Sequence, residues 1–245
     1  MKKRVVLLGD SITQGLGSKK INFTEELQHI LGENYFVENR ALTGTTVHYA
    51  EKILPEIIKI KPEFVIIVYG NVDAQIRPNR NGYIFKHIPK RFQKNGMLMP
   101  RPFYSHRRNK RVGQKIENVM RHLCSSLIYA IDGSEQWVNI EEFSNIYSRI
   151  VQDLWSAGIK VIACSTVFID EKVFPGSLAQ YEAFNAQIKK TVLYEKGEYI
   201  DLFFLLKTAV EKEGWNKIYC YDHFHPNEGG YKIIASKIAE KVVGE

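Results

Sequence analysis

The apolar positions of the chain follow two alternating rhythms. Short aliphatic and β-branched runs at Arg4 to Leu8, Tyr35 to Val37, Glu63 to Gly70, Lys160 to Ser165 and Tyr199 to Phe203 read as strands. The run "EFVIIVYG", Glu63 to Gly70, is the clearest, and its lack of polar alternation suits a strand buried on both faces. Between these runs the spacing changes to three and four. Phe23, Leu27, Ile30 and Leu31 predict a helix over Phe23 to Leu31, and a second runs from Thr46 to Ile60, stopped by Lys61-Pro62. Further helices are expected at Asn139 to Ala157, ended by Gly158, and at Leu178 to Tyr194. A last one begins beyond Pro226, with Tyr231, Ile234, Ile238 and Val242 on one stripe. Five strands separated by helix-length segments predict right-handed βαβ units and an α/β fold with a mostly parallel sheet.

The rhythm fails from Ala74 to about Arg107, where Pro78, Pro89, Pro100 and Pro102 punctuate the sequence. It recovers as a helix over Arg107 to Ile131, followed by a turn at Asp132-Gly133. An irregular stretch this long inside a compact fold is expected to be a functional loop or a mobile region. The 245 residues suit one domain, 1–245, with 74–138 as an insertion after the third strand.

Charge singles out the same insertion. The chain holds 34 Lys and Arg against 27 Asp and Glu, but 12 of the basic residues and none of the acids lie between Ala74 and Ile116. A mildly acidic body therefore carries one strongly basic segment. Three cysteines, Cys124, Cys164 and Cys220, form no C-x-x-C pair, which points to a reducing, cytoplasmic compartment rather than a disulfide framework or zinc knot. The apolar run of "MKKRVVLLGDS" is too short for a signal peptide or a membrane span.

Parallel sheets bind ligands beyond the carboxyl ends of their strands. Gly9-Asp10-Ser11 lies at that end of the first strand and Gly70 to Asp73 at that end of the third. Ser11 reads either as a helix cap or as a nucleophile. The second reading requires a base, for which imidazole is suited, and an acceptor to fix the imidazole's tautomer. Asp222 and His225, three apart before Pro226, supply that pair; His223 is a rival base, and "HFH" also raises a metal, for which no third ligand is evident. Asp10 and Asp73 read as acceptors of local backbone hydrogen bonds. Gly9, Gly15 and Gly17 form no phosphate-binding fingerprint, so no nucleotide is expected, and the serine reading requires no cofactor.

"GDSI" (Gly9 to Ile12), the glycine of "ALTG" (Gly44), "YGNVD" (Tyr69 to Asp73) and "DHFHP" (Asp222 to Pro226) resemble the blocks of the SGNH, or GDSL-type, hydrolase superfamily. Their order and spacing span almost the whole chain. The resemblance implies a three-layer flavodoxin-like fold, with Ser11 as nucleophile, His225 as base and Asp222 as its orienting acid. It also implies an oxyanion hole from the N–H groups of Ser11 and Gly44 and an asparagine side chain. Here the third block departs from the pattern. Val72 stands at the asparagine position, and Asn71 is expected to supply the amide instead, with a donor drawn from the insertion as the alternative.

The reaction that fits is acyl transfer through an acyl-serine. Arg77, Arg80, Arg101, Arg107 and Arg108 are expected to steer an anionic ester, with Met97, Leu98, Met99, Phe103 and Tyr104 meeting its apolar portion. An esterase or deacetylase acting on an O-acylated carbohydrate is the leading expectation. An acyltransferase using the same serine and a non-catalytic polyanion or carbohydrate binder are the alternatives. A solvated lobe or contact with an anionic membrane also accounts for the basic segment, and nucleic acid is disfavoured because no recognition motif accompanies it.

Overall fold

The computed structural model describes residues 2–18, 23–94 and 98–244. In chain order the first elements are β1 (Lys3–Gly9), α1 (Ser11–Gln14), α2 (Phe23–Leu31), β2 (Tyr35–Asn39), α3 (Val47–Ile60), β3 (Phe64–Val68) and α4 (Asn71–Ala74). The inserted stretch carries β4 (Ile76–Pro78), α5 (Tyr83–His87), α6 (Arg108–Ile131) and β5 (Ser134–Gln136). The chain then returns through α7 (Ile140–Ser156), β6 (Lys160–Cys164), α8 (Ser177–Tyr194), β7 (Glu198–Ile200), α9 (Leu202–Glu213), α10 (Trp215–Ile218) and α11 (Glu228–Val243).

Five strands form one all-parallel sheet in the order β2-β1-β3-β6-β7. Helices α3, α7 and α8 pack together on one face, and α2, α9 and α11 on the other, so the molecule is the expected three-layer α/β sandwich. The central strands are hydrophobic on both sides because both sides are covered: Val5 to Leu8 and Val65 to Ile67 are almost fully buried. The chain leaves β1 for β2 at one edge and crosses back to β3 on the other side of β1. That reversal opens a crevice at the carboxyl ends of β1 and β3.

Two boundaries differ from expectation. The strand expected over Tyr199 to Phe203 ends at Ile200, because the Asp201 carboxylate accepts the Phe204 N–H at 2.9 Å and starts α9 instead. The apolar run Leu202 to Leu205 hid that cap by looking like a continued strand. The stretch without rhythm also has structure. Strands β4 and β5 pair antiparallel, and Asp132 caps α5 by accepting the N–H groups of Tyr83 (3.0 Å) and Ile84 (2.7 Å). A small satellite core of Ile88, Phe92 and Ile128 lies beneath. Among the described residues no helix is long and apolar enough to cross a membrane.

Phe143 of α7 is fully buried against Tyr147 and against Phe184 of α8, with ring centroids 5.2 and 4.7 Å away. Phe143→Ala is expected to lower the unfolding free energy by about 3–5 kcal/mol in urea titrations. A loss below about 1 kcal/mol would show that this interface does not hold α7 to α8.

Candidate active site

Asp10, not Ser11, caps the first helix. Its Oδ1 accepts the Ile12 N–H at 2.8 Å and caps α1, so the serine that follows is the first helical residue and its hydroxyl is not needed as a cap. The Ser11 Oγ lies 2.9 Å from His225 Nε2, and His225 Nδ1 lies 2.6 Å from Asp222 Oδ2. The other carboxylate oxygen of Asp222 accepts the N–H groups of Phe224 (3.2 Å) and His225 (3.1 Å). The acid is thereby tied to the backbone that carries the imidazole. His223, the rival base, turns away: its Nδ1 meets Asp170 at 2.7 Å and its ring stacks on Trp215.

The loop bearing His225 is anchored on both sides. Cys220 N–H donates to the His225 carbonyl at 2.9 Å. Asn227 caps α11 by accepting from Gly229 at 2.8 Å, and its amide donates to the Asn216 and Tyr219 carbonyls at 3.0 Å. Gly17 approaches so closely that a Cβ there would sit 2.2 Å from the Pro226 carbonyl oxygen. With φ at +126° as well, that position requires glycine.

The third block is arranged differently from the expectation. Gly70 takes φ +114°, and Asp73 fastens the turn by accepting the N–H groups of Val47 (2.8 Å) and Gly70 (3.1 Å). In that setting Val72 lines the cavity and Asn71 does not. The Asn71 side chain is fully buried, its Oδ1 accepting the Val167 N–H at 2.9 Å beside the Asp10 carboxylate. Gln75, one turn beyond Val72, does line the cavity. It is buried, and its Nε2 rests on the Met99 sulfur at 3.7 Å, a weak acceptor.

Ser11, Gly44, Asp222 and His225 border a cavity of about 570 Å³ whose far wall comes from the inserted stretch. Arg77, Arg80 and Arg101 line it, together with Leu98 and Met99. Tyr104 and Arg107 do not. Tyr104 packs on Tyr221 with ring centroids 5.1 Å apart, and Arg107 stands exposed at the start of α6, next to the equally exposed Arg108. Phe103 borders a neighbouring hollow, and Met97 lies outside the described residues.

Arg121 and Trp137 are cavity residues that the sequence reading missed. Arg121 is a buried cation in mid-helix. Arg101 and Arg121 share Glu117, each at 2.8 Å, and Arg80 pairs with Glu135 at 2.5 Å. Arg77 is buried with both Arg77 and Arg80 over the Trp137 ring, at 4.0 and 4.7 Å from its centroid. Its Nη1 donates to the carbonyls of Val72 (2.7 Å) and Gln75 (3.1 Å) rather than to a carboxylate. Burial pulls its pKa down to about 10, which leaves it charged at neutral pH.

The family model for the GDSL-like lipase/acylhydrolase family matches residues 7–233. The fold is similar to that of the lipase/acylhydrolase from Enterococcus faecalis, at 16% identity over 99% of this chain and 96% of that one, with a TM-score of 0.64. An alpha/beta hydrolase enzyme from the metagenome of Lake Arreo, Spain, aligns at 15% identity, 99% and 95% coverage, and a TM-score of 0.66. An acetylxylan esterase from Geobacillus stearothermophilus aligns at 14% identity, 99% and 94% coverage, and a TM-score of 0.63. At such identities the likeness is one of fold. No curated protein matches the sequence.

The buried carboxylates beneath the site give it a pH-dependent stability. Desolvation raises Asp10 to about 6 and Asp73 to about 7, and the Asp10 charge further disfavours that of Asp73. Both folded-state values exceed the unfolded ones, so the native state holds more protons between about pH 4 and 7 and loses stability as pH rises through that window. Asp10→Asn removes one such group while keeping an oxygen for the Ile12 N–H. Measured by urea unfolding, its stability relative to the parent should rise by on the order of 1–3 kcal/mol between pH 4.5 and 8. A flat difference would show that Asp10 does not carry the effect.

Proposed function

The chain belongs to the GDSL-like lipase/acylhydrolase family, whose members are serine hydrolases acting on esters, and from that premise we propose that it removes an O-acyl group from an anionic ester, an acylated carbohydrate. The observation that carries this reading is the continuous chain of hydrogen-bonding contacts from Ser11 through His225 to Asp222, opening into a cavity that holds arginines. His225 Nε2 takes the Ser11 proton as Oγ attacks the ester carbonyl. Asp222 holds the Nδ1–H tautomer and stabilises the imidazolium. Collapse of the tetrahedral intermediate breaks the C–O bond, and the imidazolium protonates the departing alcohol. Water, deprotonated by the same nitrogen, then attacks the acyl-serine and frees the acid.

Donors for the oxyanion come from three places in this reading. Ser11 is the first residue of α1, so its N–H has no intrahelical acceptor, and Gly44 borders the same cavity. The third donor is the Gln75 carboxamide. Asn71 is fully buried beside Asp10 and does not border the cavity, whereas Gln75 does, and its Nε2 exchanges only a thioether contact for the developing charge. The inserted stretch 74–138 then acts as part of the one domain, completing the cavity and contributing this donor.

Arg77 carries the anionic preference. Arg80, Arg101 and Arg121 have carboxylate partners, so of the four arginines lining the cavity Arg77 is the one best placed to meet a carboxylate or phosphate on the substrate. Aromatic walls at Phe85, Phe92, Trp137, Phe174 and Phe224 suit a sugar or a short acyl chain. The similar fold of an acetylxylan esterase supports the carbohydrate reading. Three cysteines with no C-x-x-C pair, Cys164 and Cys220 both buried, support a reducing, cytoplasmic setting.

Hydrolysis of p-nitrophenyl acetate should fall at least about a thousandfold in Ser11→Ala. The parent enzyme should favour a carboxylate-bearing ester over its neutral isostere, an advantage that shrinks with salt. Product analysis in the presence of an alcohol should show free acid rather than transacylated product. Parent activity equal to that of Ser11→Ala would sink the reading. Gln75→Leu should lower kcat by about ten- to a thousandfold with little change in KM. An unchanged kcat would remove Gln75 from the oxyanion hole.

A further inference from the structure

Helix α6 is built the wrong way round for a helix packed on a protein. Its inward face is polar: Gln114 accepts the Ser105 N–H, Asn118 accepts the Arg101 N–H, Arg121 donates to the Met99 carbonyl, Ser125 to the Leu98 carbonyl and Tyr129 to the Ile76 carbonyl. Only Arg121 and Ile128 are buried. Its outward face is apolar. Val112, Ile116, Val119, Leu123, Leu127 and Ile131 follow one another at three- and four-residue intervals, all exposed, with Ile116 at 61% and Leu123 at 56%. With Met120 they occupy about 120° of the helix circumference and run for about 30 Å. A contiguous exposed stripe of this size marks a surface that something covers.

The polar residues beside the stripe identify what covers it. Arg108, Arg111 and Lys115 flank it on one side, all exposed. The one acid in α6, Glu117, is turned inward to Arg101 and Arg121. A second copy of the chain docked on this face would bring two such cationic flanks to the interface with no acid on the outer face of either helix to offset them. A bilayer with anionic headgroups accepts both halves of the pattern, since the apolar face enters the headgroup boundary while the flanking cations meet phosphate. We infer that the outward face of α6 is a peripheral docking surface for an anionic lipid bilayer, which seats the enzyme with its cavity beside the membrane. The link to the cavity is direct, because Arg121 of α6 lines it. The inference stands independently of the substrate assigned above.

Vesicle co-sedimentation of the full chain tests it, comparing phosphatidylcholine vesicles with vesicles containing about a third phosphatidylglycerol. Binding is expected to the anionic vesicles at least tenfold more strongly than to the neutral ones. It should fall at least tenfold in Ile116→Glu/Leu123→Glu, and comparably in Arg111→Glu/Lys115→Glu. All of these positions are exposed and none takes part in catalysis, so p-nitrophenyl acetate turnover and thermal unfolding should stay at parent levels and certify the fold. Three outcomes would overturn the inference: no vesicle binding by the parent, binding that neither set of substitutions weakens, or a concentration-dependent dimer in light scattering that Ile116→Glu/Leu123→Glu dissociates without any vesicle association. Loss of esterase activity in Ser11→Ala with vesicle binding intact would keep this result separate from that of the catalytic reading.

Discussion

The contact on which the site depends joins residues 214 positions apart, the Ser11 hydroxyl and the His225 imidazole. No local segment can hold it. It exists because the turn after α1 and the loop before α11 lie backbone against backbone, at a separation only glycine allows at position 17. Tyr231 secures the same seam by donating from its hydroxyl to the Leu16 carbonyl at 2.8 Å, and α11 packs along α2 behind it. The catalytic distance is therefore a property of the whole sandwich. Any change that lets α11 drift from α2 loosens the base before it touches a catalytic residue, and misplacement on the ångström scale is costly in rate.

What the sequence disclosed and what it withheld divide along a physical line. Strands and helices that pack on the sheet leave periodic signals, and the serine, histidine and acid sit in short segments whose residue types already imply their chemistry. The third block was legible in composition but not in orientation. Successive residues of a helix point about 100° apart, so a one-position offset sends a side chain to another face. Asp73 fixes that rotation through the N–H groups of Val47 and Gly70, one of them 26 positions away. Val72 is thereby turned to the cavity and Asn71 to the core. Such an anchor has no local signature, and neither does Arg121, whose place on the cavity wall follows from how α6 lies across the loop before it.

The charge count was misleading in an instructive way. The acid-free stretch ends at Ile116, and the very next residue, Glu117, takes both Arg101 and Arg121. Glu135 takes Arg80. These part-buried pairs hold the inserted stretch in shape rather than presenting free charge to a ligand. The Trp137 ring supports two neighbouring guanidinium groups, an arrangement that tolerates their mutual repulsion because each also faces the ring's electron-rich surface. In the cavity wall the arginines thus resolve into ion pairs around one arginine bonded to backbone carbonyls, while Arg108, Arg111 and Lys115 stay exposed on the outer side of α6. That distinction decides whether the segment acts as a nonspecific polyanion surface or as a shaped pocket, and the burial of Arg77 argues for the pocket.

Disagreement between local pattern and position is most informative in α6. In a two-layer packing the apolar stripe of a helix turns inward, and each large side chain so buried contributes about 1.5–3 kcal/mol. Here the stripe is left in water, and the inner face is held by five side-chain hydrogen bonds to the backbone of residues 76–105, each worth only about 1 kcal/mol net. Burial alone would favour rotating the helix by half a turn. The rotation is blocked because it would bury Arg108 and Lys115 and strip Glu117 from Arg101 and Arg121 in the cavity wall. The ion pairs that shape the cavity wall are thus the same interactions that keep the apolar face of α6 outward.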